Sequence, residues 1–396
     1  MRKIFFLIVF IPLFYCNNIK EGKKSELSDN KNKDNYIIKK KKERSIKKEN
    51  DISLCMVGDI LMHRNLTNYG YDKKTDSYNF DFMFENMEKY IKEYDMKIAN
   101  DEVLIAGKNF GITDFPKFNS PFELADSIVK AGFNIILKAT NHINDKGLKA
   151  IKSDLNNWKN KYPNITITGS YLNENDYNKI TYFTKNNIKI ALLNYCYGSN
   201  VKSKKNYTMN ELRYDKIKND IEKAKKENAE FIIVFPHWGK EYVLNEIKYQ
   251  KYFTKIFLDL GVDLVIGTHP HVIQPLKVYY KKSKKKMYVF YSIGNFINAT
   301  SSRGKNIFWR FLGGMAHVII GRNKNNKVVV KEIKFIPLIT HIFENKKIST
   351  FKVKDYNKTM AQNSLVGKEF DKTFSYDNMI NIFNTVISSK YLDFNL

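Results

Sequence analysis

Cysteine is scarce in this chain, with three in 396 residues. None is spaced as a metal ligand pair or quartet, which excludes a structural zinc finger or ribbon. Cys55 and Cys196 lie inside apolar stretches, where buried thiols are ordinary; a disulfide between them is neither required nor excluded by the sequence. Acidic residues are also short, 41 against 67 Lys and Arg, for a formal net charge of +26. Such a balance fits a nucleic-acid binder, a membrane-surface protein or a handler of acidic polymers. No RNA-binding signature, finger spacing or basic zipper is present, and the lysines are spread along the whole chain, so nucleic acid is not an expected partner. No internal repeat is evident. At 46.6 kDa the chain can bury one large core or two medium ones.

Two segments at the N-terminus stand apart. Met1-Arg2-Lys3 precedes an apolar run from Ile4 to Tyr15 that reaches Cys16. A short positive region before an apolar run too brief to span a bilayer comfortably is the pattern of an export signal. The segment 1–16 resembles a lipoprotein signal with Cys16 as lipid acceptor, although Tyr15 stands where a small residue normally precedes that cysteine. The expectation is an exported protein anchored to the cell membrane. Residues 17–50 are mostly Lys, Glu, Asn, Asp and Ser, and cannot bury enough surface to offset their ordering entropy. They are expected to form a disordered tether of ~30 Å reach, whose Lys39–Lys48 block lies in solvent or against anionic head groups. A folded domain is expected over 51–345, with an extension over 346–396 closed by a helix carrying Met379, Ile380, Phe383, Val386 and Ile387.

Within the folded part, strands and helices alternate. Ile52–Val57, Met96–Glu102, Phe133–Leu137, Ile188–Tyr195, Phe231–Phe235, Asp263–Ile266 and Tyr288–Ile293 read as strands, and Phe308–Ile320 and Lys327–Phe335 as later ones. Helical spacing marks 82–94 (Met83, Met87, Tyr90, Ile91, Tyr94), the segment after Ser120-Pro-Phe-Glu123, which has the form of a capping box, and Leu148–Trp158. Arg213–Glu227 and Glu246–Leu260 show it as well. Most strands are continuous apolar runs, which points to an α/β protein with largely parallel strands covered by helices.

Polar clusters close these runs. Asp263-Leu-Val-Ile-Gly-Thr-His-Pro-His271 ends in two histidines two residues apart; on an extended segment both would point the same way and meet at one point. His-X-His alone is also an ordinary polar loop. Asp59 follows the first strand as a ligand or a loop cap, Glu102 closes the second as a ligand or part of a solvated turn, Asn141 and His142 follow the next, and His237 ends another. Carboxylate, amide and imidazole together suit Zn, Mn or Fe, and the lack of cysteine ligands argues against a structural zinc site.

GDILMHR, ANDEV, TNHINDKG, HWGKEY, GTHPHVIQ and YSIGNF, in this order over Ile52–Ile297, resemble the motifs of the poly-γ-glutamate capsule synthesis protein family, CapA, a branch of the calcineurin-like metallophosphatase superfamily. The resemblance implies a layered α/β/β/α sandwich of two mixed sheets and one or two divalent metal ions. It implies ligands at Asp59, Asn141, His237, His269 and His271, with Glu102 or Asn100 nearest to the usual bridging aspartate. Leu61 stands where the superfamily has a histidine, which implies a weakened or vacant second metal position, and Asp101 stands where CapA proteins usually carry an apolar residue. If the site is hydrolytic, His142 oriented by Asp145 would protonate a leaving group or stabilise developing charge. Arg64 and Asn295 would hold an anionic substrate and Glu241 would steer a ligand or water, a structural salt link being the other reading for Arg64 and Glu241. Three functional classes fit these residues: an envelope-anchored protein assisting synthesis, export or attachment of an anionic polymer such as poly-γ-glutamate, with membrane-bound polymer synthase components as partners; a metal-dependent hydrolase of phosphoesters or of amide bonds in a surface polymer; and a non-catalytic polymer-binding module.

Overall fold

The computed structural model describes residues 49–281, 286–299 and 304–396; the anchor and nearly all of the tether expected at 1–50 lie outside them. Residues 49–396 form one compact unit. The chain first lays down β1 (Ile52–Ile60), β2 (Met96–Asp101), β3 (Ile135–Leu137) and β4 (Thr166–Thr168). It then crosses to a second sheet of β5 (Thr181–Lys185), β6 (Ile188–Cys196), β7 (Phe231–His237), β8 (Leu264–Ile266), β9 (Leu276–Tyr280) and β10 (Lys286–Phe290). It returns to the first sheet with β11 (Asn295–Ile297), β12 (Leu312–Arg322), β13 (Val328–Ile342) and β14 (Ile348–Lys352). The orders are β14-β13-β12-β1-β2-β3-β4, with β11 beside β1, and β9-β10-β8-β7-β6-β5. Both sheets are mixed. β1 to β4 run parallel and β12 to β14 antiparallel, while β6, β7, β8 and β10 run parallel between antiparallel edges.

Alternation along the strands shows the layering. In β6, Ile188, Ile190 and Leu192 join a core cluster with Leu54 and Met56 of β1, whereas Ala191, Leu193 and Tyr195 pack with Ile217, Ile221, Phe253 and Phe257. The last four belong to helices over Tyr214–Lys226 and Lys248–Leu260. Successive side chains of a strand point to opposite faces, so one face of the second sheet meets the first sheet and the other meets helices. The longer helices among the described residues, in chain order, are α1 (Arg64–Gly70), α2 (Glu123–Lys130), α3 (Gly147–Lys161), α4 (Tyr214–Lys226), α5 (Lys248–Leu260) and α6 (Tyr376–Val386). Leu124 and Ile128 of α2 and Met379 and Phe383 of α6 belong to the cluster of the first sheet. The architecture is the layered α/β/β/α sandwich of two mixed sheets. Apolar runs buried on both faces are what a strand between two layers requires.

Several local expectations are corrected by tertiary contacts. The segment 82–94 is a 3-10 turn at Asp81–Met83 followed by a short helix at Glu88–Ile91. Asn86, between them, donates to Ser349 on β14 at 2.8 Å. Met83, Met87 and Ile91 are nonetheless core. Ser120 does not cap α2: its N–H donates to Leu104 O at 2.8 Å and its carbonyl accepts from Gly107, so the helix begins at Glu123 with no side-chain cap. Residues Ile307–Phe311 form a 3-10 turn before β12, and β13 runs on to Ile342. The expected strand to Ile293 stops at Phe290. The extension 346–396 belongs to the same unit, supplying β14 and, from α6, Met379 and Phe383, both fully buried. Cys55 and Cys196 are free thiols. Among the described residues no helix is long and apolar enough to cross a membrane.

Candidate metal centre

The site forms where strands of both sheets end on the same edge. Asp59 stands near the end of β1, opposite Asn100 of β2 and Asn295 of β11, and the β1–β2 register shifts between Val57 and Asp59. A bulge of this kind re-aims the next side chain. Gly58 makes it sterically feasible, since a Cβ there would lie 1.8 Å from Gly294 O. Glu102 follows β2, Asn141 lies in the turn after β3, His237 closes β7, and His269 and His271 lie beyond β8. The last two do not sit on an extended segment. Their φ values are +96° and +56°, a region non-glycine residues rarely occupy. Their rings still converge, with centroids 5.8 Å apart, because the chain bends around Pro270 rather than because alternate residues share a face.

Three groups of potential ligand atoms lie within 4.8 Å of one another: Asp59, Glu102 and His271; Glu102, His237 and His269; and Glu241, His269 and His271. Glu102 Oε1 is 3.5 Å from His237 Nε2 and 3.6 Å from His271 Nε2. His237 Nε2 is also 2.8 Å from Asn141 Oδ1, which brings the amide into the second group, and its Nδ1 is oriented by Thr268 Oγ1 at 3.0 Å. His271 Nδ1 lies 3.2 Å from Asp59 Oδ2 and 3.0 Å from Asn295 Oδ1. Asn100 donates to the other Asp59 oxygen at 2.8 Å; it orients the carboxylate, and Glu102 takes the shared position between the two buried groups.

Burial and like charge raise the Asp59 carboxyl, with Glu102 as the charged neighbour. Burial acts the same way on Glu102, but His271 and His237 outweigh it and hold that carboxyl below its ordinary range. Burial would lower His271, yet Glu102 and Asp59 hold it up at about 10. His269 is pushed well below its usual value, first by burial and then by His237 and His271. The charge of Glu102 is thus supported by the imidazoles around it, while burial and Glu102 work against ionisation of Asp59, and His269 is held neutral. Both Glu102 oxygens and His269 Nδ1 are buried without a hydrogen-bond partner among the described residues. Buried carboxylate oxygens in that state are costly unless something cationic meets them. Together with the mixed O and N donors, this is the donor set a divalent ion fits.

His142 lies beside this cluster and outside all three ligand groups. Its Nδ1 is 2.7 Å from Asp145 Oδ2, which also accepts from Phe118 N at 2.7 Å. An ionised carboxylate only accepts, so Nδ1 carries the proton and Nε2 is left to act. His142 lines a cavity of about 60 Å³ with His63, Phe118, Glu241, Tyr242 and His271. Glu241 thus comes to the cleft as a candidate ligand. Arg64 does not line the cavity; its guanidinium is exposed and pairs with Asp114 at 2.9 Å. Asn295 is buried and committed within the protein, donating to Arg310 O at 2.8 Å and His271 O at 3.2 Å while its Oδ1 faces His271. It positions His271.

Other residues reach the site without a signal in the sequence. His63, two residues past Leu61, lines the cavity, its ring lowered to about 4 by burial and by His271. Tyr197 packs on His269 with centroids 4.6 Å apart. Tyr242 lies between His271 and the Arg310 guanidinium, which is 3.9 Å from its ring centre. Lys138, fully buried, reaches Asp101 and Asp154 at 2.7 Å each and donates to Val103 O at 2.9 Å. It thus grips the chain on either side of Glu102 and explains Asp101 at a position where an apolar residue was expected. Burial pushes Asp101 up to about 6 against the pull of Lys138.

With this geometry in place, comparison with known proteins is decisive at the family level. The family described as bacterial capsule synthesis protein PGA_cap matches residues 53–300, a span that includes every residue of the cluster. The chain belongs to the PGA_cap family. Relatives include the capsule biosynthesis protein CapA of Bacillus anthracis, 29% identical over 261 residues, covering 63% of this chain and 61% of that protein. The PGA biosynthesis protein CapA of Bacillus subtilis is 29% identical over 252 residues, covering 62% and 63%. The chain thus spans somewhat over three fifths of the relatives it matches. Among solved structures, the calcineurin-like phosphoesterase YfkN of Bacillus subtilis is similar at 14% identity and a TM-score of 0.43, covering 85% of this chain and 97% of that one. The NAD nucleotidase NadN of Haemophilus influenzae is similar at 12% identity and a TM-score of 0.45, covering 87% and 64%. Within the PGA_cap chain, Asp59, Glu102 and His271 form one buried group and Glu102, His237 and His269 another, with Asn141 beside His237 at 2.8 Å.

Proposed function

We propose that this PGA_cap protein assists the synthesis, export or attachment of an anionic surface polymer of the poly-γ-glutamate kind, through a cleft that holds one or two divalent metal ions. The observation that carries this reading is the position of Glu102, a buried carboxylate without hydrogen-bond partners among the described residues that belongs to two buried ligand groups at once. Asp59, Glu102 and His271 would hold one ion, and Glu102, Asn141, His237 and His269 the other. Imidazole donors favour Mn, Zn or Fe over Mg. Leu61 offers no donor on the Asp59 side, so that position is the weaker of the two. A bound ion of this kind lowers the pKa of water and polarises phosphoryl or acyl groups.

A second reading, hydrolysis of phosphoesters or of amide bonds in the polymer, is favoured by the His142–Asp145 pair. Asp145 keeps the imidazole in one tautomer, and Nε2 can deliver a proton to a leaving group or stabilise charge in the cleft. The export-type N-terminus supports anchoring at the membrane through Cys16, beside membrane-bound polymer synthase components. Replacing His269 and His271 together by Ala should remove most bound Mn, Zn or Fe measured by elemental analysis, with the circular dichroism spectrum retained because both side chains line the cleft. Any polymer or phosphoester cleavage should disappear with the metal. A folded wild-type chain that stays metal-free after exposure to each ion would leave only a binding module.

A further inference from the structure

A second cavity opens on the flank of the metal centre, about 350 Å³ in volume. It is connected to the centre through one loop. Asn200 N donates to Asn141 O at 2.9 Å and Ser199 Oγ to the same carbonyl at 3.3 Å. Asn144 Nδ2 donates to Ser199 Oγ at 3.0 Å. The backbone of a candidate metal ligand therefore forms part of the partition between the two spaces. Lys202, Lys205, Arg213 and Lys216 line the cavity against a single carboxylate, Glu211. Lys216 is partly committed to Asp220 at 2.7 Å, whereas Lys202, Lys205 and Arg213 are exposed.

One buried atom distinguishes among anions. Asn144 is 3% exposed, lines the cavity, and its Oδ1 has no hydrogen-bond partner among the described residues. A buried carbonyl oxygen needs a donor. Polyphosphate and sulfated polymers at neutral pH offer acceptors, whereas a polyamide offers an N–H in every repeat. Resting on the polymer reading above, we infer that this cavity is a subsite for a carboxylated polyamide, taking carboxylates on Lys202, Lys205 and Arg213 and a main-chain amide on Asn144. A strand of γ-linked glutamate has both groups in each repeat. Seated here, it would lead along the loop 197–200 to the metal centre.

The test uses the full chain and end-labelled poly-γ-glutamate of defined length, followed by fluorescence anisotropy, with polyphosphate as the competing polyanion. Wild type should bind poly-γ-glutamate more tightly than polyphosphate, and more weakly as salt rises. Reversing Lys202, Lys205 and Arg213 to Glu should weaken binding about tenfold or more, the scale of lost charge-assisted contacts, with bound metal unchanged. The neutral set K202Q, K205Q and R213Q should fall between, and guards against misfolding of the reversed set. Asn144→Leu should erase the preference over polyphosphate. Equal binding by the charge variants would overturn the subsite and leave the function reading standing. Equal affinity for the two polyanions, unaffected at Asn144, would overturn the polyamide assignment. A metal-loaded wild type that binds no poly-γ-glutamate would overturn both the subsite and the polymer reading.

Discussion

Glu102 is where the electrostatics of the site concentrate. Its charge is opposed by burial and supported by His271 and His237, and it in turn raises the Asp59 carboxyl, so the folded protein holds a buried carboxylate that positive charge in the cleft stabilises. Glu102→Gln keeps the shape and removes the charge from both buried ligand groups, whereas His237→Ala touches only one of them. The glutamine variant should therefore lose most bound metal, and the alanine variant should lose the ion on its own side and retain part of the other. Elemental analysis per folded chain distinguishes them; equal losses would show that Glu102 is not shared. Six ligand candidates were legible in the sequence because each is a polar residue closing an apolar run, and a strand's end fixes where such a residue lies. His63, Tyr197 and Tyr242 were not, because their approach depends on how loops fold back over the strand ends. Lys138 was hidden for another reason: a lysine after a strand reads as solvated unless Asp101 and Asp154 are known to meet it.

At the level of elements, β12 and β13 each carry a buried histidine remote from the ligand cluster. His317 faces Tyr94 OH at 2.8 Å and His341 faces Tyr356 OH at 2.9 Å. Burial lowers both to about 4, with Lys352 adding to the effect at His317 despite Asp393. Around His317 stand Glu332, at 3.7 Å, and Lys334. A histidine lowered on folding takes up protons more readily when unfolded, so its share of stability is present above an unfolded pKa of about 6.5 and lost as pH falls towards 4. Stability in urea should fall between pH 6.5 and 5, each ring contributing at most roughly 2 kcal/mol by pH 5. The double variant H317Q and H341Q should flatten that slope; an unchanged slope would place the acid sensitivity elsewhere. Elements differ in how far their own residues set them, for a physical reason. β1, β6 and β7 are set by their own apolar runs, and α4 and α5 by their apolar period. In the stretch 82–94 and ahead of α2, tertiary bonds enter that a local period does not show: Asn86 reaches β14 and Ser120 pairs with Leu104.

At the scale of the whole molecule, the family match ends at residue 300 while the folded unit continues to Leu396. Residues 304–396 are not an appendage to the site. β12 pairs antiparallel with β1 from Ile52 to Val57, and β13 and β14 continue that sheet outward. Phe335, Leu338, Met379 and Phe383 are fully buried in the same core as Leu54 and Met56. Gly313 bridges Gly294, whose carbonyl accepts from Asp59 N at 3.2 Å, so the strand that aims Asp59 is held from the C-terminal side. Cutting the chain at 300 would turn β1 into an open edge beside an uncovered apolar face, a state that aggregates rather than folds. At the other end Asp51 is buried and pairs with Lys331 at 2.5 Å, so the unit begins before β1. A chain of residues 49–396 should therefore be soluble, give a cooperative unfolding transition, and bind as much metal as the full chain. A chain of residues 49–300 should be insoluble or lack a transition, and bind no metal stoichiometrically. Circular dichroism melts and elemental analysis of the two chains decide the matter, and a folded, metal-loaded 49–300 would show that the site is complete without β12 to β14 and α6.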